Sequence, residues 1–373
     1  MLIALGLCGI VLLAGLGACR QDPIRIGFAG PLTGVYSDLG VQGRNGAILA
    51  VEKINDRGGI HGRPLRLLPR DDGNTAAQAK AVDRELIQQG VVAIIGHMTS
   101  SQSVAALPVA NRAEVVLLSP TTSTPRLSGK EDYFFRVQAS TDRDARAVGR
   151  YARQSLQLHR VNTLEDTDNT AYTAPFVHNF TSAFAQNGSR VPERCAFSAQ
   201  GAGNQTAALD CLRRNRPDGV LLATSARDAA GLLQGLRETD PECTAMVSGW
   251  AATRSLLIQG GAAVEGVYAA QRNFADPDNS RYQAFAQRYA DRFGQSPSFA
   301  AVDSYDAVRV LARALETTQG KRRGLRRALC ETEHFPSLYG KLSLDAYGDA
   351  VAPTHIFQVH NGALSLLQTI KPE

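Results

Sequence analysis

From residue 24 onward, the chain alternates short apolar runs with stretches in which apolar residues recur every three or four positions. The runs at 24–28, 64–68, 91–96, 115–119 and 133–137 predict five strands. Between them, Ala47, Ile48, Val51 and Ile54, and then Ala79, Val82, Leu86 and Ile87, mark the inward faces of two helices. The pair Gly58-Gly59 is a stop signal for the first. Continuous apolar strands separated by helices predict a parallel sheet buried on both faces. The pattern then repeats, with strands predicted at 161–166, 190–197, 219–223, 244–247 and 267–272. Phe176, Val177, Phe180 and Phe184 form an apolar stripe on one intervening helix. Helices at 281–293 and 299–317 follow, then strand-like alternation at 339–344, 355–359 and 364–367. The pattern predicts an α/β chain of two doubly wound parallel-sheet lobes joined by several crossings. In such sheets, ligands sit beyond the carboxyl ends of the strands.

A length of 373 residues suits two lobes. With 44% apolar and 20% charged residues, the chain is expected to fold rather than to stay disordered. A net charge of +5 is too mild to argue for a nucleic-acid partner, and none is expected. The first 18 residues carry no charged side chain and end in Leu16-Gly17-Ala18 before Cys19. This stretch is similar to the signal peptide and lipobox of bacterial lipoproteins. It implies a signal peptide over 1–18, acylation of Cys19, and an exported protein tethered to a membrane and facing the periplasm or cell exterior. Export leaves Cys195, Cys211, Cys243 and Cys330, which permit three pairings in an oxidising compartment. Cys195 and Cys211, close together on a predicted strand and the next helix, are the favoured pair. The cysteines and histidines lack metal spacing, so neither a metal nor a cofactor is expected.

The segment Ile24-Arg25-Ile26-Gly27-Phe28-Ala29-Gly30-Pro31-Leu32-Thr33-Gly34 resembles the opening of the type I periplasmic binding proteins of the branched-chain amino acid class. So do Gly58-Gly59-Ile60-His61-Gly62-Arg63, Asp71-Asp72, Gly96-His97-Met98-Thr99-Ser100-Ser101 and Ser119-Pro120-Thr121-Thr122-Ser123. Asp168-Asn169-Thr170-Ala171-Tyr172 and Ser304-Tyr305-Asp306-Ala307-Val308 extend the similarity over nearly all of 24–368. The resemblance implies two lobes with three hinge crossings that close around a small solute and deliver it to the permease of an ABC importer. Lobe 1 is then expected at 24–138 plus 273–337, and lobe 2 at 139–272 plus 338–373. The function implied is binding of an amino acid or related small carboxylate, without catalysis. The alternative is a receptor that senses an amide or carboxylate without transporting it.

Ser100 is expected as the N-cap of a helix following the third strand, where a hydroxyl and free backbone N–H groups suit a carboxylate. Thr121 and Ser123 follow the fourth strand at the same sheet edge. The resemblance implies that Ser100, Thr121 and Ser123 hold the carboxylate and part of the amine, and that Tyr172 lines the pocket from the second lobe. It also sets Leu39 where amino-acid binders often carry an aromatic, Ser225 where they carry a Tyr, and Gly249 where they place an acid for the ammonium. Trp250, beside Gly249, is expected to pack on an apolar or aromatic ligand body. Unless Asp38, Asp303 or another acid substitutes for the acid missing at Gly249, the expected ligand lacks an ammonium, because an unpaired buried charge is costly.

Overall fold

The computed structural model describes residues 22–185, 188–199, 205–272 and 278–371. Cys19 and the stretch 1–18 lie outside them. The first body runs β1 (Ile24–Gly30), α1 (Ser37–Asn55), β2 (Leu65–Asp71), α2 (Ala76–Gln88), β3 (Ala93–Ile95), α3 (Ser100–Ala113), β4 (Val116–Ser119) and β5 (Phe134–Arg136). The chain then crosses into α4 (Asp142–Gln154), β6 (Val161–Asp166), α5 (Thr170–Phe184), β7 (Arg194–Phe197), α6 (Gln205–Arg213) and β8 (Gly219–Ala223). The second body continues with α7 (Ala226–Thr239), β9 (Thr244–Ser248), α8 (Arg254–Gly260) and β10 (Tyr268–Gln271). A return crossing leads to α9 (Ser280–Phe293), α10 (Phe299–Thr317), α11 (Leu325–Cys330), β11 (Phe335–Ser337), β12 (Gly340–Leu344) and β13 (Ala350–Val351). The last crossing reaches β14 (Thr354–His360) and β15 (Ala363–Ile370).

Two sheets carry the two lobes. The first has the order β2-β1-β3-β4-β5, all parallel. The second has the order β15-β14-β10-β9-β8-β6-β7, parallel except for the antiparallel pair β14 and β15 at one edge. The fold is therefore the expected doubly wound α/β pair with three crossings. Ile26, Phe28, Ile94 and Ile95 in the first sheet and Val220, Leu221 and Leu222 in the second are buried, which explains why these strands read as continuous apolar runs. In the first lobe α1 lies directly against α10. A Cβ on Gly46 would stand 2.0 Å from the Ala301 carbonyl oxygen, so only glycine allows that approach.

The last lobe boundary differs from the sequence reading. The expected change of lobe at 337/338 occurs after Val351 instead, because Leu338, Leu342, Leu344 and Ala350 bury into the first lobe's core. An ion pair reinforces this. The buried Arg136 at the end of β5 meets Asp349 at 2.8 Å, and its backbone N–H donates to the Gly348 carbonyl. Strand β7 is also shorter than predicted: Arg190 makes only an isolated bridge with Arg160. Cys195 and Cys211 form a disulfide between β7 and α6, while Cys243 and Cys330 are free thiols. None of the described helices is long and apolar enough to cross a membrane.

Candidate functional site

The carboxyl ends of β3 and β4 meet the second lobe at α4, α5 and the end of β9, and a narrow cavity of about 30 Å³ lies between them. Its wall contains seven of the sequence-selected residues: Leu39, Ser100, Thr121, Ser123, Tyr172, Gly249 and Trp250. The eighth, Ser225, is placed differently. It is the N-cap of α7, where its Oγ accepts from the Asp228 N–H and donates to the Asp228 carboxylate at 2.6 Å. It faces a neighbouring chamber of about 300 Å³, which Leu39, Trp250 and Phe299 also line. A Ser-x-x-Asp start of this kind is a capping motif, and that local bond takes the hydroxyl away from the ligand cavity.

Ser100 is the first residue of α3 and Thr99 the N-cap, one position earlier than expected. Ser100 Oγ accepts a 3.4 Å bond from the Ser123 N–H. Among the described residues, neither the Ser100 nor the Ser123 hydroxyl proton has a protein acceptor, so both can donate to an oxygen in the cavity. Thr121 is committed otherwise, donating its hydroxyl to the Met98 carbonyl. It is left with oxygen lone pairs, which suit a ligand N–H better than a carboxylate.

Beneath this loop sits a buried group whose partners lie far apart in sequence. His97 places Nδ1 2.7 Å from Asp72 and Nε2 3.1 Å from Asp83, with all three side chains fully buried. Burial opposes a charge on the ring, but the two carboxylates outweigh it and lift the imidazole pKa to about 10. The His97 carbonyl accepts bonds from the Ser119 and Thr122 hydroxyls, which ties the β3 and β4 loops together. His97 is therefore a scaffold residue.

The second lobe supplies the aromatic wall. Tyr172 in the first turn of α5 meets Trp250 edge-on at 5.9 Å, and its Oη accepts from the Trp250 N–H at 3.4 Å. Burial pushes the Tyr172 phenol up to about 12, so it stays protonated. An acid at Gly249, where the family register would place one, would need its neighbours to give by a few tenths of an ångström. A Cβ on it would lie 3.0 Å from Gln271 Cβ and 3.1 Å from the Ala270 carbonyl oxygen. Of the substitutes considered from sequence, Asp38 lines the neighbouring chamber and Asp303 is sealed against Arg272 at 3.1 Å. The acid that does line the cavity is Asp144, which sequence reasoning did not single out. It lies in the first turn of an Arg-rich amphipathic helix, where an aspartate reads as a solvated residue at a helix N-terminus.

Contacts between the lobes hold the cleft closed. The Tyr36 hydroxyl at the start of α1 donates to Asp166 Oδ2 at the end of β6 at 2.6 Å, and the Tyr36 ring lies 5.4 Å from Trp250. Burial raises the Asp166 carboxyl to about 6, so at neutral pH it accepts as a carboxylate. Ser101 N–H donates to Asn169 Oδ1, and Ala171 N–H to Ser101 Oγ. A hydrogen bond to a charged group is worth about 1.5–3 kcal/mol. Tyr36→Phe should therefore lower apparent ligand affinity by roughly tenfold to a hundredfold, mostly through faster dissociation. Stopped-flow release of a bound solute is the check, and an unchanged rate would show that this bond does not hold the cleft.

Known proteins carry the same architecture. A leucine-binding protein from Thermotoga maritima superposes with a TM-score of 0.84 at 23% identity, covering 94% of this chain and 99% of that one. A solute-binding protein of an ABC transporter from Rhodopseudomonas palustris, in complex with 3,4-dihydroxybenzoic acid, gives 0.85 at 22% identity, covering 94% and 98%. By sequence, an amino acid binding protein of Pseudomonas aeruginosa is 31% identical over 156 residues, 41% of this chain and 42% of that protein. The Leu/Ile/Val-binding protein of Escherichia coli is 26% identical over 161 residues, 43% and 44% of the two chains. The chain thus spans about two fifths of the length of the curated relatives it matches. The family description "Periplasmic binding protein" matches residues 23–363, nearly the whole two-lobe body, and the chain belongs to that family.

Proposed function

We propose that this protein is the extracytoplasmic solute-binding component of an ABC importer, closing its two lobes on an amino acid or related small carboxylate and passing it to the permease subunits. The observation that carries this reading is the pair of hydroxyls on Ser100 and Ser123, buried in the interlobe cavity with protons free to donate to a carboxylate. The names of the relatives agree in chemistry: leucine, isoleucine, valine and 3,4-dihydroxybenzoic acid all carry a carboxylate. The reading is binding without turnover, and His97, three residues before Ser100, is locked between two aspartates.

A thermal-shift screen against amino acids, short carboxylates, amides and aromatic acids tests it. A solute at 100 times its Kd should add about 2.7 kcal/mol of stability. A screen in which only compounds without a carboxylate stabilise the protein contradicts the reading. We also propose that Cys19 carries the acyl chains that tether the protein. Mass spectrometry of the membrane fraction should find a mature N-terminus at an acylated Cys19, and a soluble product starting elsewhere would refute the tether.

A further inference from the structure

Among the described residues lining the cavity between the lobes, Asp144 is the only Asp, Glu, Lys, Arg or His. The rest of that wall is hydroxyl, amide, aromatic or apolar. Thr354 Oγ1 on β14 donates to Asp144 Oδ1 at 2.7 Å, and this is the protein hydrogen bond the carboxyl makes among the described residues. The second oxygen is left for a group in the cavity. The charged groups that face it are Arg272 at the end of β10 and Asp142 and Arg143 on its own helix, with the neutral Tyr172 phenol on α5. Arg272 does not line the cavity, and it is paired with the fully buried Asp303. Among the described residues, a solute entering here therefore meets hydroxyl donors at Ser100 and Ser123 and one acid, Asp144.

We propose that Asp144 is the cavity's counter-charge for a ligand cation, and that its protonation switches the pocket between ammonium-bearing solutes and carboxylates that lack the ammonium. The inference rests on the reading of the cavity as a carboxylate-binding site. An ionised Asp144 attracts an ammonium and repels a second carboxylate; a protonated one does neither and can donate a hydrogen bond to a carboxylate oxygen. Burial sets the switch in the neutral range, raising the Asp144 carboxyl to about 7. A bound ammonium favours the ionised form, so binding of a zwitterion releases a proton and tightens as pH rises through that range. Binding of a bare carboxylate weakens over the same interval. This replaces the expectation drawn from Gly249 that the ligand has no ammonium: the missing acid enters from α4 instead.

The test uses matched pairs that differ only in the amino group: L-alanine with propanoate, L-leucine with 4-methylpentanoate, and L-phenylalanine with 3-phenylpropanoate. Calorimetry at about pH 6 and about pH 8 gives, for each pair that binds, the ratio of carboxylate Kd to amino-acid Kd. A group titrating near 7 goes from about one tenth to about nine tenths ionised over this interval, so the ratio should rise roughly tenfold or more. In Asp144→Asn the ratio should be flat, with the amino acid weakened at the higher pH. A ratio that ignores pH in the wild-type protein overturns the switch while leaving the carboxylate site standing. The same pH response in Asp144→Asn overturns it as well. Failure of all six compounds to bind at either pH overturns both the switch and the reading beneath it.

Discussion

Replacing His97 with phenylalanine is expected to cost about 3–5 kcal/mol of stability, because it strands Asp72 and Asp83 as buried charges with their common partner gone. Few substitutions in this chain should cost more, although the residue touches no solute. The imidazole pKa lies above its ordinary value in the folded protein, so its stabilisation is fully present below about pH 6.5 and is lost as pH rises through about 10. Urea unfolding of the wild-type protein should therefore show His97-dependent stability falling across that window, and His97→Phe should lack that component. The variant should also bind its solute less tightly, since the His97 carbonyl anchors the Ser119 and Thr122 hydroxyls. A loss below about 1 kcal/mol would mean that the aspartates find other partners or bind protons at little cost.

The second large effect concerns affinity. Each of the Ser100 and Ser123 hydroxyls is expected to donate to a charged ligand oxygen, a bond worth about 1.5–3 kcal/mol. Ser100→Ala and Ser123→Ala should each weaken binding by roughly tenfold to a hundredfold. The double variant should lose somewhat less than the product of the two, because the Ser123 N–H donates to Ser100 Oγ and the positions are coupled. Thr99, not Ser100, is the N-cap of α3, so melting temperatures should change little. Calorimetry with a solute found by thermal shift is the check. A large drop in melting temperature with unchanged affinity would mark these hydroxyls as structural.

The fold was legible wherever burial imposes its own pattern on the chain. The strands Val161–Asp166 and Gly219–Ala223 and the helix Phe299–Thr317 occupy the residues their periodicity predicts, since each is surrounded by core. The destination of β11 to β13 was less legible. Alternation announces a strand but does not say which of two cores it joins, and here the Arg136–Asp349 pair and the side chains around Leu342 decide. At the site, Ser100, Thr121 and Ser123 stand at element ends where loops reach a sheet edge, a position that sequence reveals, whereas Tyr172 was singled out by the family resemblance. Asp144 was hidden because its burial arises between separate elements: Thr354 from the last crossing and the closed cavity wall turn a helix-start aspartate into a cavity residue. The same holds for His97, whose partners Asp72 and Asp83 lie 25 and 14 residues away. Ser225 misled in the opposite direction, since capping by a Ser-x-x-Asp start is a sufficient local reason for its presence.

On the proposed reading, a small carboxylate-bearing solute is held between the lobes by the β3 and β4 loops. A crystal structure with the strongest stabiliser from the thermal-shift screen tests it most directly. The expected result is a ligand carboxylate within hydrogen-bond distance of the Ser100 and Ser123 hydroxyls, with the rest of the ligand against Tyr172 and Trp250. A ligand seated in the neighbouring chamber beside Ser225, or on the outer surface of either lobe, would contradict it.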